Sequence, residues 1–371
     1  MQKKLIALAV AGLVSGAAFA QTNVTIYGAA DASLEFVQAK DASGAGVDQL
    51  NRFRVNSNSS ILGFRGSEDL GGGLKAIFQF EGGVNVDAST ALSFGRDTFV
   101  GLQGGFGQVK AGLITGPARS LGAAVDLTIG ATGIGANTAM LGKVGGNGGN
   151  SFGLWDTRRS NSVQYVTPKF GGFEVRAMYG AGEQRADGQK AGAVYELGGF
   201  YNNGPWYAGL TYGQAKPKTG GIAAVPAGVV LGEKATNIRF AGTYTFQAGH
   251  KIAVLFEQNK VDQWNAGGDD VKSYTYGIGG KFKVSQPGAI IAQVYQVGKL
   301  KGIDNVAGDY KANLISIGYE HSLSKRTTLK AYYSRISNKD LAHYNYGIGN
   351  IGGAAAGSDP TGYSVGIRHS F

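Results

Sequence analysis

Between residues 24 and 36, apolar Val24, Ile26, Ala30, Leu34 and Phe36 alternate with Thr25, Tyr27, Asp31, Ser33 and Glu35. That is the period-two pattern of a strand whose two faces meet different surroundings. The same reading recurs at 60–66, 74–81, 94–102, 109–113, 161–166, 173–179, 195–201, 206–212, 238–246, 252–256, 274–282, 290–295, 315–319, 329–334 and 363–371. Sixteen strands are thus predicted, joined by seven short turns that alternate with eight longer loops. Turns such as 70–73 and 104–107 are glycine-rich, as tight hairpins require. An even strand number with short turns at one end and long loops at the other is the pattern of a transmembrane β-barrel. Closure also removes the edge strands, which no lipid-exposed sheet can leave unpaired.

One connection breaks the rhythm. Residues 115–156 form a 42-residue run rich in glycine and almost without period. Compact domains rarely hold so long a connection without a functional reason. Because strands precede and follow it, it must leave the sheet and return, and the expectation is that it folds into the lumen and narrows it. The expected fold class is therefore all-β: a 16-stranded antiparallel transmembrane β-barrel with a long third loop folded inward.

Composition sharpens this picture. The chain carries 63 Gly, 7 Pro, 18 Tyr and 18 Phe, unlike a disordered linker and suited to many strands and turns. There are no cysteines, so neither disulfides nor thiolate metal sites exist. Residues 1–20 show a charged start, a short apolar centre and a small-x-small end, the features of a secretory signal cleaved after Ala20, leaving residues 21–371 as a single barrel domain. The formal charge is +10; removing Lys3 and Lys4 with the signal leaves 33 basic against 25 acidic side chains. The basic residues are scattered singly, which argues against nucleic acid as a partner.

At this point the chain resembles the general porins of Gram-negative outer membranes, particularly the beta-proteobacterial trimeric type. The pieces that carry the resemblance are Val24-Thr25-Ile26-Tyr27-Gly28, the run from Leu62 through Arg65-Gly66-Ser67-Glu68-Asp69-Leu70 to Ala76, Phe99-Val100-Gly101-Leu102, Asn161-Ser162-Val163-Gln164-Tyr165, and the ending Gly366-Ile367-Arg368-His369-Ser370-Phe371. The resemblance implies a homotrimer in outer-membrane lipid and lipopolysaccharide, passing small hydrophilic solutes and ions without a cofactor. It also implies that Phe371, with Tyr363 on its apolar parity, is read by the barrel-assembly machinery.

Alternation decides which charges face water. Lys75, Lys110, Arg158, Arg176, Arg239, Lys251, Lys281, Lys330 and Arg368 take the lumen parity, with Glu81, Glu174, Glu257 and Glu320 beside them; facing lipid, each charge would cost about 2 to 4 kcal/mol near the midplane. Arg65 joins Lys75 and Lys110 as a wall candidate. Anion-preferring members of the resembled family place wall arginines opposite the inward loop, and Arg96 with Arg158 or Arg159 stands at the matching positions, with Arg54 a further candidate. The loop carries Asp126 and Asp156 against Arg119 and Lys143. Rings of basic residues favour anions, so an anion-preferring pore is expected.

Other readings stay open. A barrel enzyme would need a nucleophile and base, and His250, His321, His343 and His369 show no spacing that suggests one. Asp269-Asp270 reads as solvated rather than as a calcium site. An adhesion barrel would work through its long loops at 217–233 and 338–360, whose Ala and Gly content suggests exposed segments. A substrate-specific channel differs from a general one only in constriction geometry.

Overall fold

The computed structural model describes residues 23–89, 92–146, 153–182, 192–216, 234–262, 270–302 and 308–371. The predicted signal at 1–20, the loop 217–233 and Asp269 therefore lie outside the described residues. The strands are β1 (Asn23–Lys40), β2 (Gln49–Ser57), β3 (Ser60–Gly71), β4 (Leu74–Val84), β5 (Thr98–Gly104), β6 (Gly107–Thr115), β7 (Arg158–Val166), β8 (Phe173–Ala181) and β9 (Ala193–Asn203). They continue as β10 (Trp206–Lys216), β11 (Ala235–Thr245), β12 (Lys251–Val261), β13 (Val271–Lys283), β14 (Gly288–Val297), β15 (Ala312–Ser322), β16 (Thr327–Asn338) and β17 (Asp359–Ser370).

From β3 onward successive strands pair antiparallel, and β17 closes the ring on β1 from Ala29 opposite Ser370 to Lys40 opposite Asp359. β1 pairs with β3 through Asn23–Ala29 and with β2 through Ala32–Ala39. β2 and β3 thus run end to end as one stave, interrupted at Asn58 and Ser59, where Ser59 adopts a left-handed φ of 55°. The seventeen strands make sixteen staves, as expected. The second stave starts at Gln49 rather than Ser60 because Asn51 shares the outward parity with Phe53 and Val55, which hides the alternation.

Outside and inside follow the predicted parity. Leu34, Phe36, Ile278 and Val365 are exposed on the outer face, whereas Asp31, Glu35, Glu257 and Ser364 point inward and are buried. Rings gather at both ends. Near the short turns Phe173 packs on Tyr201 at 4.7 Å and Trp206 on Tyr244 at 4.5 Å; near the long loops Tyr179 meets Tyr195 at 5.1 Å and Tyr333 meets Tyr363 at 5.0 Å. These are the two interfacial belts of a membrane barrel. At the tight turn after β3, Gly71, Gly72 and Gly73 all take positive φ, which only glycine adopts cheaply in succession.

Candidate functional site: the pore constriction

The long connection between β6 and β7 opens with the helix α1 (Pro117–Val125). Pro117 suits its first turn, where an amide hydrogen would have no intrahelical partner. Ala118, Leu121 and Val125 are buried against the inner wall. The wall makes room with glycine: a Cβ at Gly209 of β10 would sit 2.7 Å from the Leu121 side chain, and one at Gly213 only 2.5 Å from the Trp155 ring.

Having no ladder of its own, the loop gives its backbone groups to inward-facing side chains of the barrel. Ala118 N donates to Glu196 of β9 at 3.1 Å, and Ala118 O accepts from Arg239 of β11 at 2.6 Å. Farther along, Gly142 N donates to Glu257 of β12 at 2.7 Å, Leu127 N to Gln293 of β14 at 3.3 Å, and Ile129 N to Glu320 of β15 at 2.8 Å. Asn137 reaches the Tyr295 hydroxyl at 3.2 Å. The loop is therefore folded into the lumen, fastened along one half of the wall.

What remains open lies against the other half. A cavity of 290 Å³ is lined by Ser59, Arg96, Thr115, Arg119, Asp156 and Arg158 together with neutral loop residues. Above it a 660 Å³ space shares Arg96, Arg119 and Arg158 and reaches Asn85 and Gly349 in the long loops. On the short-turn side a 640 Å³ space is lined by Arg65 and Lys110 among others. The arginines are braced from behind. Arg96 Nε donates to Glu81 at 2.5 Å, Arg158 Nε to Asp97 at 3.0 Å, and Arg119 pairs with Asp156 at 3.2 Å. Asp97 in turn accepts from the Thr115 amide at 2.7 Å and hydroxyl at 2.6 Å. Held this way, guanidinium groups keep charge at the opening without the freedom of long side chains.

The candidates divide accordingly. Arg96, Arg158, Arg119 and Asp156 come together at the narrow cavity. Arg159 instead turns to Glu196 at 3.7 Å and to the Trp155 ring. A break in register between β6 and β7, with Asn161 at a φ of 49°, places Arg159 opposite Ile114. Arg54 pairs with Glu35 and donates to the Asn350 and Gly349 carbonyls of the last loop, outside the residues that line the narrow cavity. Lys75 lies exposed near the short turns, opposite Asp69. Asp126 is spent on the Thr128 and Asn137 amides, and burial pushes its carboxyl above the usual range while those bonds act the other way. Lys143 is fully buried and donates to Ala139 O at 2.8 Å. Tyr363 is exposed outside, and Phe371 exchanges backbone bonds of 3.1 and 3.2 Å with Gly28.

Sequence reasoning missed Ser59, Asp97 and Glu196. Glu196 could have been found, since it stands on the polar parity between Tyr195 and Leu197. The last loop corrects the expectation of an exposed segment at 338–360: Tyr344, Tyr346 and Ile351 are buried, and Tyr346 donates to Ser334 O at 3.0 Å. Its Ala and Gly content concealed the bulky Tyr344-Asn345-Tyr346 run that folds in.

A closed barrel with an outer apolar band, two aromatic belts and a water-accessible, internally narrowed lumen defines an outer-membrane channel. A family model described as Gram-negative porin matches residues 7–341, and the chain belongs to that family. The outer membrane porin protein 32 of Delftia acidovorans is 36% identical over 377 residues, spanning 100% of both chains. A major outer membrane protein P.IB of Neisseria gonorrhoeae is 29% identical, covering 88% of this chain and 91% of its own length. Among solved structures, an anion-selective porin from Comamonas acidovorans superposes with a TM-score of 0.76 at 30% identity, covering 95% of this chain and 100% of that one. The protein is an outer-membrane porin of Gram-negative type, a multi-pass β-barrel channel.

Proposed function

We propose that this porin is a general diffusion pore for small hydrophilic solutes that prefers anions. The observation that carries the reading is the narrow cavity itself: Arg96, Arg119 and Arg158 line it, with Asp156 the one acid among the described lining residues. Basic side chains around a constriction attract anions and repel cations, and a low-dielectric wall strengthens the field within it. The solved relative named anion-selective supports the same reading. The resemblance supports a homotrimer that carries lipopolysaccharide and lipid on its outer face, cleavage of residues 1–20, and recognition of Tyr363 and Phe371 during assembly.

The experiment is the reversal potential of the refolded protein in a planar bilayer across a salt gradient, before and after Arg96→Gln and Arg158→Gln together. The wild type should show an anion-sign potential and openings in groups of three. The double variant should move toward cation preference, because Glu81 and Asp97 lose their counter-charges. A cation-sign potential in the wild type would overturn the selectivity, and no conductance would overturn the open pore.

A further inference from the structure

The 640 Å³ space on the short-turn side of the constriction has a different chemistry from the narrow cavity. It is lined by Arg65 on β3 and Lys110 on β6, by the amides of Gln79, Gln103 and Gln108, and by apolar Ile77 and Phe99. Arg96, Arg158 and Arg176 nearby are each ion-paired with a carboxylate. Among the described residues Arg65 and Lys110 are not. Each rests instead on an aromatic face, Arg65 at 5.0 Å from the Tyr27 ring centre and Lys110 at 4.9 Å from that of Phe99. A cation on a ring face is attracted there by the ring quadrupole, yet its hydrogen-bond donors stay available. Asp97, the acid that reaches this space, is engaged by Arg158 and Thr115.

Two unpaired cations, amide groups and an apolar floor on one stretch of wall are more than an anion needs in order to be attracted. A small inorganic anion gains from the charges alone, whereas an organic carboxylate can also bury its carbon skeleton against Ile77 and Phe99. We propose that this wall segment is a low-affinity binding site for organic monocarboxylates with an apolar body, a station reached after the constriction. The proposal rests on the pore reading for how the solute arrives, but binding itself is measurable without conduction.

The test is saturation-transfer NMR on refolded, detergent-solubilised protein with benzoate as probe, corrected for transfer from protein-free micelles and competed with sulfate. The wild type should show transfer that sulfate weakens only in part. Arg65→Gln with Lys110→Gln should weaken benzoate binding at least about tenfold, since losing even one strong charge-assisted contact has that effect and both cations are removed. Arg119→Gln, at a residue that lines the narrow cavity but not this space and pairs with Asp156 rather than Asp97, should leave it within about twofold of wild type, a change of less than half that free energy. Heat-modifiable migration on gels checks that each variant is folded. Unchanged transfer in the Arg65 and Lys110 variant, loss of transfer in the constriction variant, or full displacement by equimolar sulfate would each overturn the site. A channel that failed to conduct would sink the pore reading and leave this result standing.

Discussion

Arg239 shows how single side chains divide the work. It is fully buried, donates to Glu257 at 2.6 Å, to Ala118 O at 2.6 Å and to Asp156 at 3.4 Å. Alternation put it in the lumen, and lumen parity suggested a pore-lining charge. What parity could not say is that the loop would cover it, since the partners lie at residues 118 and 156, far away in the chain. Arg158 has the same parity logic and, like Arg96, which the resemblance rather than alternation put at the opening, it stays uncovered. Removing Arg239 would leave Glu257 as a buried, uncompensated charge and Asp156 with Arg119 as its partner, a loss of about 3 to 5 kcal/mol. Arg239→Met should therefore lower the denaturant midpoint in detergent and raise single-channel conductance as the loop comes off its wall, with the strand signal in circular dichroism retained. An unchanged conductance with an unchanged midpoint would show that the staple holds nothing.

At the scale of elements, the length and aperiodicity of residues 115–156 announced an inward loop, but not the helix α1 within it or the glycine trough on β10 that seats it. The trough was invisible because barrel glycines are common and only contact with Leu121 and Trp155 gives Gly209 and Gly213 a purpose. The loop also carries an internal pH dependence. Burial pulls the Lys143 ammonium from 10.5 down to about 7, with Asp156 acting in the opposite direction. Below pH 7 the lysine is charged in both folded and unfolded chains, and the burial cost is fully present. Between about 7 and 10.5 the folded chain has shed the proton while the unfolded chain holds it, so stability rises with pH across that window and levels off above it. Lys143→Met should raise the thermal midpoint at pH 6 and flatten its rise between those limits. A wild-type slope kept in the variant would place the pH dependence elsewhere.

For the whole molecule, sixteen staves and their faces were legible because lipid demands an apolar outer parity and water an inner polar one, a signal repeated on every strand. The junction of β2 and β3 was not, since Asn51 sits on the outer parity where lipid contact gives way to the loop end. Ile278, midway along β13 and 65% exposed, tests the outer face. Ile278→Lys should cost about 2 to 4 kcal/mol in lipid vesicles and far less in solution, since the charge is penalised by hydrocarbon rather than by the fold. Urea titration of vesicle-inserted protein reads it; a midpoint equal to wild type would mean that position 278 does not meet hydrocarbon.

The one-sided attachment of the loop has a consequence for how such a channel can change over generations. Side chains on β9, β11, β12, β14 and β15 are committed to holding the loop, whereas those on β3 to β7 line the open spaces. Substitutions on the first arc are filtered by whether the protein survives, those on the second by what the cell takes up. A lineage can thus retune its diet by drifting along one arc while the other stays still.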